Sequence, residues 1–295
     1  MGKENRTGVV LKGIGGFYYV LSDGQLHECK AGGRLRFAAE SPLAGDRVEF
    51  TLEGKSALIT ALSPRKNVLV RPPIANIDRL FIVASEAPPT TDPFLIDKVL
   101  VIAARQGIEP VLLLNKSDLV ENKELQSVYR GANVPVITVS AVTDEGIEEV
   151  CALLAGCISA FTGNSGIGKS SILNRIDARF ALSVGNISEK IGRGRHTTRK
   201  VELLPLCNGG FVADTPGFSS FEITKIDRMK KDELQLWFPE LEQLFGQCRY
   251  NGCAHIHEPD CAVRDAVSRG DIALSRYESY CKLYAELAQL KEWET

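Results

Sequence analysis

The chain has 295 residues, of which 44% are hydrophobic and 24% are charged. This is the composition of a folded protein, and it excludes a disordered, collagen-like or coiled-coil chain. No apolar run approaches the roughly 20 residues of a membrane-spanning helix, and the first residues show no signal-peptide core. We therefore expect two or three domains in a soluble, cytoplasmic monomer without a membrane partner.

The net charge of −2 is distributed unevenly along the chain. Residues 1–72 carry 11 lysine and arginine residues against seven aspartate and glutamate residues, whereas residues 223–295 carry 10 against 13. A mildly basic N-terminal segment is compatible with nucleic-acid binding. An ordinary solvated surface explains the same charge equally well.

Residues 1–72 are predicted to form a small all-β barrel. Short apolar stretches separated by turn residues give predicted strands at 8–11, 17–21, 46–50 and 56–62. Short strands at this spacing favour an oligonucleotide-binding (OB) barrel, although an SH3-like barrel would give a similar pattern. The proline-containing stretches 63–66 and 71–73 are predicted to link this domain to the next.

Residues 73–221 are predicted to form an α/β domain, and residues 222–295 a mostly helical C-terminal domain. Near-continuous apolar strands are predicted at 78–84, 110–114, 134–139 and 158–162, and they alternate with helices at 94–105 and 146–154. Buried strands that alternate with helices indicate a mainly parallel sheet with both faces covered.

The strongest motif lies at residues 163–170, which match the phosphate-binding pattern G-x-x-x-x-G-K-[ST] between an apolar strand and an amphipathic helix. Its glycines let backbone N–H groups surround phosphates at the positive end of the helix. Lys169 is expected to act in catalysis on the β- and γ-phosphates, and the Ser170 hydroxyl is expected to bind Mg²⁺. The predicted nucleotide-binding residues of this loop are Gly163, Asn164, Ser165, Gly166, Ile167, Gly168, Lys169, Ser170 and Ser171.

A guanine-reading motif, N-K-x-D, is predicted after the strand that ends at Leu114. It comprises Asn115, Lys116 and Asp118. A carboxylate at the last position can accept hydrogen bonds from both guanine N1–H and its exocyclic amine, a pair that adenine cannot supply. Ser140 and Ala141 follow the next strand and fit the short backbone motif that contacts the guanine oxygen.

The remaining GTPase elements follow the phosphate-binding loop. Asp214 and Gly217 belong to D-T-P-G, a D-x-x-G element in which the aspartate contacts Mg²⁺ through water and the glycine N–H meets the γ-phosphate. A switch threonine that binds Mg²⁺ is expected between the two elements. Thr197 and Thr198 both qualify, and we favour Thr198.

The order of these motifs is unusual. Small GTPases ordinarily present the phosphate-binding loop first and N-K-x-D and S-A last, whereas here N-K-S-D and S-A come first. The same sheet can form if the original termini are joined and the chain is opened elsewhere. The sequence therefore predicts a circularly permuted GTPase domain that is opened just after D-T-P-G.

Over nearly its full length the chain resembles the RsgA (YjeQ) family of circularly permuted GTPases that depend on the small ribosomal subunit. The matching segments are the linker 64–67, the whole phosphate-binding loop, residues 193–198 and Asp-Thr-Pro-Gly-Phe at 214–218. The resemblance implies a GTP hydrolase that binds the small subunit and its rRNA late in assembly, hydrolyses GTP there and then leaves. The alternative is a GTP-switched RNA- or ribosome-binding module in which hydrolysis is only a timer.

One position bears on the hydrolysis mechanism. Other GTPases place a water-orienting glutamine after D-x-x-G, whereas Phe218 follows Gly217 here. A phenyl ring cannot orient water, so slow intrinsic hydrolysis is expected unless another group acts. The resemblance suggests His196 as the catalytic group. A histidine suits this role because its ordinary pKa lies near neutrality. A loop histidine that contacts phosphate or RNA is the alternative.

A zinc site is predicted from three cysteines and a histidine within 14 residues, namely Cys248, Cys253, His255 and Cys261. Three thiolates and an imidazole suit tetrahedral Zn²⁺, and four protein ligands make the site structural. His257 is a competing ligand, although the family pattern points to His255. Four other cysteines are expected to be reduced core residues, and these are Cys29, Cys151, Cys157 and Cys207. The downstream helix at 272–290 is expected to pack on the zinc region.

Overall fold

The computed structural model describes residues 4–33, 41–53, 56–70, 73–120, 124–180, 201–214 and 229–289. They form a β-barrel, a six-stranded sheet with helices on both faces, and a C-terminal segment of short helices. Among the described helices, none combines the length and apolar character that crossing a bilayer requires.

The N-terminal barrel closes in the order β1-β2-β3-β5-β4, with β3 and β5 parallel, as in an OB fold. Its strands are β1 (Glu4–Ile14), β2 (Phe17–Ser22), β3 (Gln25–Ala31), β4 (Arg47–Glu53) and β5 (Ser56–Leu62). The sequence did not predict β3. Only two of its seven residues, Cys29 and Ala31, are buried, so its apolar alternation is weak.

The predicted linker contains structure of its own. A hairpin of β6 (Val68–Val70) and β7 (Pro73–Ala75) spans the predicted boundary at residue 72, and that boundary stays a prediction. Arg65 binds the fully buried carboxylate of Asp46 through two hydrogen bonds of 2.7 and 2.8 Å. The Asn76 side chain donates to the Gly45 carbonyl at 2.9 Å. The barrel is therefore fastened to the following domain by buried polar contacts.

The central sheet has the strand order β10-β9-β8-β11-β13-β12. All neighbouring strands are parallel except β12, which lies at one edge and runs antiparallel to β13. This confirms the predicted mainly parallel sheet. The strands are β8 (Arg79–Ala84), β9 (Glu109–Leu114), β10 (Val136–Thr138), β11 (Ile158–Thr162), β12 (Glu202–Pro205) and β13 (Phe211–Asp214).

Helices cover both faces of the sheet, and two buried apolar clusters lie beneath them. The first helix begins where Pro93 presets the backbone and the Asp92 carboxylate accepts the N–H of Phe94 at 2.9 Å. The helices of this region are α1 (Pro93–Arg105), α2 (Glu124–Gly131), α3 (Ile147–Leu154) and α4 (Lys169–Ile176), with a 3₁₀ turn, η1, at Ser117–Leu119.

The C-terminal segment packs on α1 around its own apolar cluster. It comprises the 3₁₀ segments η2 (Lys231–Trp237) and η3 (Pro239–Leu244) and the helices α5 (Ala262–Arg269) and α6 (Leu274–Ala288). An ionic triad joins two of these elements to α1, because Arg276 on α6 binds Asp97 on α1 and Glu240 on η3. All three side chains are at most 7% exposed.

The four isolated cysteines differ in their surroundings. Cys29 is buried, and Cys151 and Cys157 are partly buried. Cys207 is exposed, so the prediction that it is a core residue is wrong. It lies in the turn between β12 and β13, where the chain reverses at the edge of the sheet.

Candidate nucleotide site and zinc centre

The phosphate-binding loop connects β11 to α4. Gly163 and Gly168 both have positive φ angles, of 145° and 99°. A Cβ atom at Gly163 would lie 2.2 Å from the Val83 carbonyl oxygen, and one at Gly168 would lie 2.1 Å from the Asn115 amide nitrogen. Gly163 therefore allows the close approach of the Val83 backbone on β8, and Gly168 leaves room for the Asn115 side chain, in addition to their roles in the turn.

Lys169 curls back over this loop. Its ammonium group donates to the carbonyl oxygens of Gly163 at 2.6 Å and Asn164 at 2.8 Å. Burial lowers the pKa of Lys169, because the charged form loses hydration. A nearby phosphate would favour the charged form, so the side chain is suited to an anionic ligand.

Asn115 joins the base-reading motif to the phosphate-binding loop. Its amide nitrogen donates to the Ile167 carbonyl at 2.8 Å, although the two residues are 52 positions apart. The other amide atom, Oδ1, is buried and has no hydrogen-bond partner within the described structure. A buried, unpaired acceptor beside a glycine cradle is what a nucleotide site leaves available for its ligand.

The predicted base-reading side chains also come together. Ser140 donates from its hydroxyl to Asp118 Oδ1 at 2.6 Å, and the same hydroxyl oxygen accepts the N–H of Thr143 at 3.1 Å. Lys116 donates to the Pro88 carbonyl at 2.6 Å. Ala141 follows Ser140 and accepts a hydrogen bond from Arg175 at its carbonyl oxygen. The Asp118 carboxylate is thus oriented by Ser140, a residue of the S-A motif.

The other residues of the phosphate-binding loop differ in their exposure to solvent. Ser165, Gly166, Ser170 and Ser171 are exposed around the open side of the loop, and Ile167 is fully buried beneath it. Asp214 ends β13, the parallel neighbour of β11, so its backbone lies at the same edge of the sheet as the loop. His196, Thr197, Thr198 and Gly217 lie outside the described residues, and their roles stay predictions.

The predicted zinc ligands form a compact cluster in the C-terminal segment. The ligand atoms of Cys248, Cys253, His255 and Cys261 all lie within 4.8 Å of one another. Cys248 and Cys261 have their sulfurs 3.9 Å apart, and His255 Nδ1 lies 3.5 and 3.4 Å from them. Tetrahedral zinc with ordinary bond lengths requires about 3.8 Å between sulfurs and about 3.6 Å between sulfur and nitrogen. His257 is exposed and is not part of the cluster.

Comparisons with known proteins identify the family. The model of the RsgA GTPase matches residues 54–224, and the model of the RsgA N-terminal domain matches residues 7–59. The chain belongs to the RsgA GTPase family. A relative from Caldanaerobacter subterraneus subsp. tengcongensis, named small ribosomal subunit biogenesis GTPase RsgA, is 44% identical over 97% of both chains. A protein of the same name from Geobacillus thermodenitrificans is 42% identical over 96% of this chain and 98% of its own.

Solved structures of the family have the same fold. The crystal structure of YjeQ from Thermotoga maritima superposes with a TM-score of 0.82 at 34% identity, covering 98% of this chain and all of that one. YloQ, described as a circularly permuted GTPase, gives a TM-score of 0.80 at 31% identity, covering 98% and 96%. The predicted permutation is therefore confirmed, and membership of a GTPase family implies GTP, its product GDP and Mg²⁺ as ligands.

The zinc centre of this RsgA-family chain fits one structural zinc ion. Burial raises the pKa of Cys253 to about 12 and also raises that of Cys261, so a bound cation is needed to hold both as thiolates. Burial lowers the pKa of His255, which favours the neutral imidazole that a metal binds. Four protein ligands leave no open position for a substrate.

Several groups around the ligands fix the metal-binding loop. Burial alone would raise the pKa of Glu258, but backbone N–H groups, including those of Ala254 and Ile256 at 2.8 and 3.0 Å, hold it at about 2. Tyr277 and Tyr280 donate from their hydroxyls to the carbonyls of His255 and Ala254. The predicted packing of the last helix on the zinc region is confirmed.

Gln235 is a residue of this centre that the sequence did not reveal. Its side-chain oxygen lies 3.0 Å from His255 Nε2. With that oxygen as acceptor, Nε2 carries the proton and Nδ1, which faces the sulfurs, is free to bind metal. Gln235 precedes His255 by 20 positions on a separate element, η2, and a lone glutamine carries no motif.

We expect Gln235→Leu to weaken zinc binding by about 10- to 100-fold, because the imidazole loses the acceptor that fixes its orientation and tautomer. Competition between the intact protein and a chromophoric chelator would measure this loss. Gln243→Leu on neighbouring η3, where the residue is exposed, is the matched control, and Gln235→Glu should retain tight binding. A zinc affinity of Gln235→Leu equal to that of the wild type would contradict the assignment.

Proposed function

We propose that this chain hydrolyses GTP during late maturation of the small ribosomal subunit in the cytoplasm, and that hydrolysis is coupled to its release from the subunit. Relatives named small ribosomal subunit biogenesis GTPase RsgA match this chain over almost its entire length, which carries the ribosomal part. The contact between Asn115 and the phosphate-binding loop supports the GTP-binding part, because it joins guanine reading to phosphate binding.

In the proposed reaction the chain supplies positioning and charge. Lys169 neutralises the developing charge on the transferred phosphoryl group, and Asp118, oriented by Ser140, selects guanine. Ser170, Thr198 and Asp214 are the proposed residues that would hold Mg²⁺, with Asp214 acting through water, and the ion would neutralise part of the phosphate charge. His196 is the proposed group that orients the attacking water.

The flanking domains are the proposed docking elements. The OB-type barrel carries the basic excess of the sequence and belongs to a fold class that binds oligonucleotides. We propose that the barrel and the zinc segment bind rRNA, and that the protein does so as a monomer. The docked subunit then places the segment that carries His196 against the γ-phosphate.

We expect isolated small ribosomal subunits to raise the GTPase rate of the purified protein by about tenfold or more, since completion of a GTPase site by a partner has large effects. The rate should be measured with and without subunits, with ATP as the control nucleotide. A chain that binds GTP tightly but shows no rise would contradict the ribosomal role.

The alternative is a GTP-switched binding module in which hydrolysis only times departure. His196→Ala separates the two. Lost hydrolysis with intact GTP binding supports a catalytic histidine and an enzyme activated on the subunit. Unchanged hydrolysis with altered subunit binding supports the timer.

A further inference from the structure

The barrel packs against one edge of the GTPase sheet. Leu11 on β1 is buried in the same cluster as Val201, Leu203 and Ala213, which belong to or adjoin the last two strands of the sheet. Strand β12 is the edge strand of that sheet. An exposed edge strand is free to move and to pair wrongly, so a packed neighbour restrains it.

An ion pair accompanies this apolar contact. Lys12 on β1 lies with its ammonium group 2.6 Å from Glu202 Oε1 on β12, across 190 residues of sequence. The two side chains are 27% and 41% exposed. The Lys12 ammonium also lies 5.4 Å from the centre of the Tyr19 ring on β2, so the barrel itself positions the lysine.

Strand β12 is connected to the segment of the predicted switch threonine along the chain and to D-T-P-G across the sheet. In the chain it follows residues 192–199, where the switch threonine is predicted. Its backbone pairs with β13 in a register that sets Glu202 opposite Asp214 and Leu203 opposite Ala213. A displacement of Glu202 therefore moves the backbone at the start of D-T-P-G.

We propose that Lys12 and Glu202 are positioning residues for GTP hydrolysis. Lys12 holds the edge strand β12 against the barrel. It also supplies a positive charge next to Glu202, which the register sets opposite Asp214. The pair thereby fixes where β13 ends and D-T-P-G begins. Within the described residues, Lys12 and Glu202 form their ion pair with each other and no hydrogen bond with the phosphate-binding loop or the guanine-reading motif. We therefore expect their substitution to change the hydrolysis step and to leave nucleotide affinity unchanged.

The test uses full-length Lys12→Ala, Glu202→Ala and the double variant, in single-turnover GTP hydrolysis without ribosomal subunits and in parallel GDP binding. Each single variant should lower the hydrolysis rate by about two- to five-fold, the range of an exposed ion pair, and the double variant should be no slower. GDP affinity should stay unchanged. Lys12→Arg and the exchanged pair, Lys12→Glu with Glu202→Lys, should recover the rate.

Arg6→Ala is the matched control, because Arg6 lies on the same strand and pairs with exposed Glu4 at 2.9 Å within the barrel. The proposal is overturned if Lys12→Ala hydrolyses GTP at the wild-type rate, if Arg6→Ala loses as much, or if GDP affinity falls in proportion. The assay contains no subunits, so its outcome does not depend on the ribosomal proposal.

Discussion

Asp118→Asn is expected to weaken GTP binding by at least about a hundredfold. The carboxylate is proposed to accept two hydrogen bonds from guanine, and a hydrogen bond to a charged group contributes about 1.5–3 kcal/mol. An asparagine amide keeps one acceptor but turns a donor toward the guanine amine, so one hydrogen bond is replaced by repulsion. Titration with fluorescent GTP and GDP would measure the loss.

The same substitution should create affinity for xanthosine triphosphate. Xanthine carries an oxygen where guanine carries its amine, and an asparagine amide can donate to it while still accepting from N1–H. Ser140 orients Asp118 through a 2.6 Å hydrogen bond and can also donate to the asparagine oxygen. A variant that binds neither nucleotide would indicate a damaged site, so the gain in xanthosine triphosphate binding is the decisive readout.

Asp144→Asn provides the control for this exchange. Asp144 lies in the loop that follows Ser140 and pairs with Arg175 at 3.2 Å, and its side chain is 58% exposed. Its removal should change GTP affinity by no more than about twofold, as is usual for an exposed ion pair. Equal losses from the two substitutions would contradict the role of Asp118 in reading guanine.

The second large effect is expected at the ionic triad between the GTPase domain and the zinc segment. Arg276→Met should lower the free energy of unfolding of the C-terminal segment by about 3–5 kcal/mol, because it leaves two buried carboxylates without a counter-charge. Arg276 binds Asp97 at 2.6 Å and Glu240 at 2.7 and 3.0 Å, and its guanidinium carbon lies 4.7 Å from the centre of the Phe238 ring.

Urea unfolding followed by tryptophan fluorescence would measure this change. Trp237 lies in the C-terminal apolar cluster, and replacement of Trp293 by phenylalanine would leave it as the only tryptophan. Arg269→Met is the matched control, since the Arg269–Asp271 pair is about 60% exposed and should contribute at most about 1 kcal/mol. Similar losses for Arg269→Met and Arg276→Met would contradict the importance of the triad.

The triad also explains why α1 matters to the zinc segment. Asp97 lies in α1, so this helix is joined to the C-terminal segment by a buried ion pair with Arg276. Replacement of all three members by apolar residues should be tolerated far better than Arg276→Met, because no buried charge then remains unpaired.

Chemistry that depends on local spacing is evident from the amino-acid sequence alone. The phosphate-binding loop needs its glycines, lysine and serine within eight residues between a strand and a helix, and the zinc ligands lie within 14 residues. Such patterns can be interpreted without knowledge of the fold, because the chain between the functional residues is too short to place them far apart. The order of N-K-S-D, S-A and the phosphate-binding loop likewise indicates the permuted sheet without any knowledge of tertiary contacts.

Other features depend on residues that are far apart in the chain, and these contacts are established only by tertiary packing. Gln235 orients His255 across 20 positions, Arg276 binds Asp97 across 179, and Lys12 meets Glu202 across 190. Single polar residues at such separations carry no periodicity or spacing that a sequence reveals. Strands β3 and β12 were missed for a related reason. The sequence shows alternation and apolar runs, whereas neighbours across a sheet and across a domain boundary are set only when the chain packs.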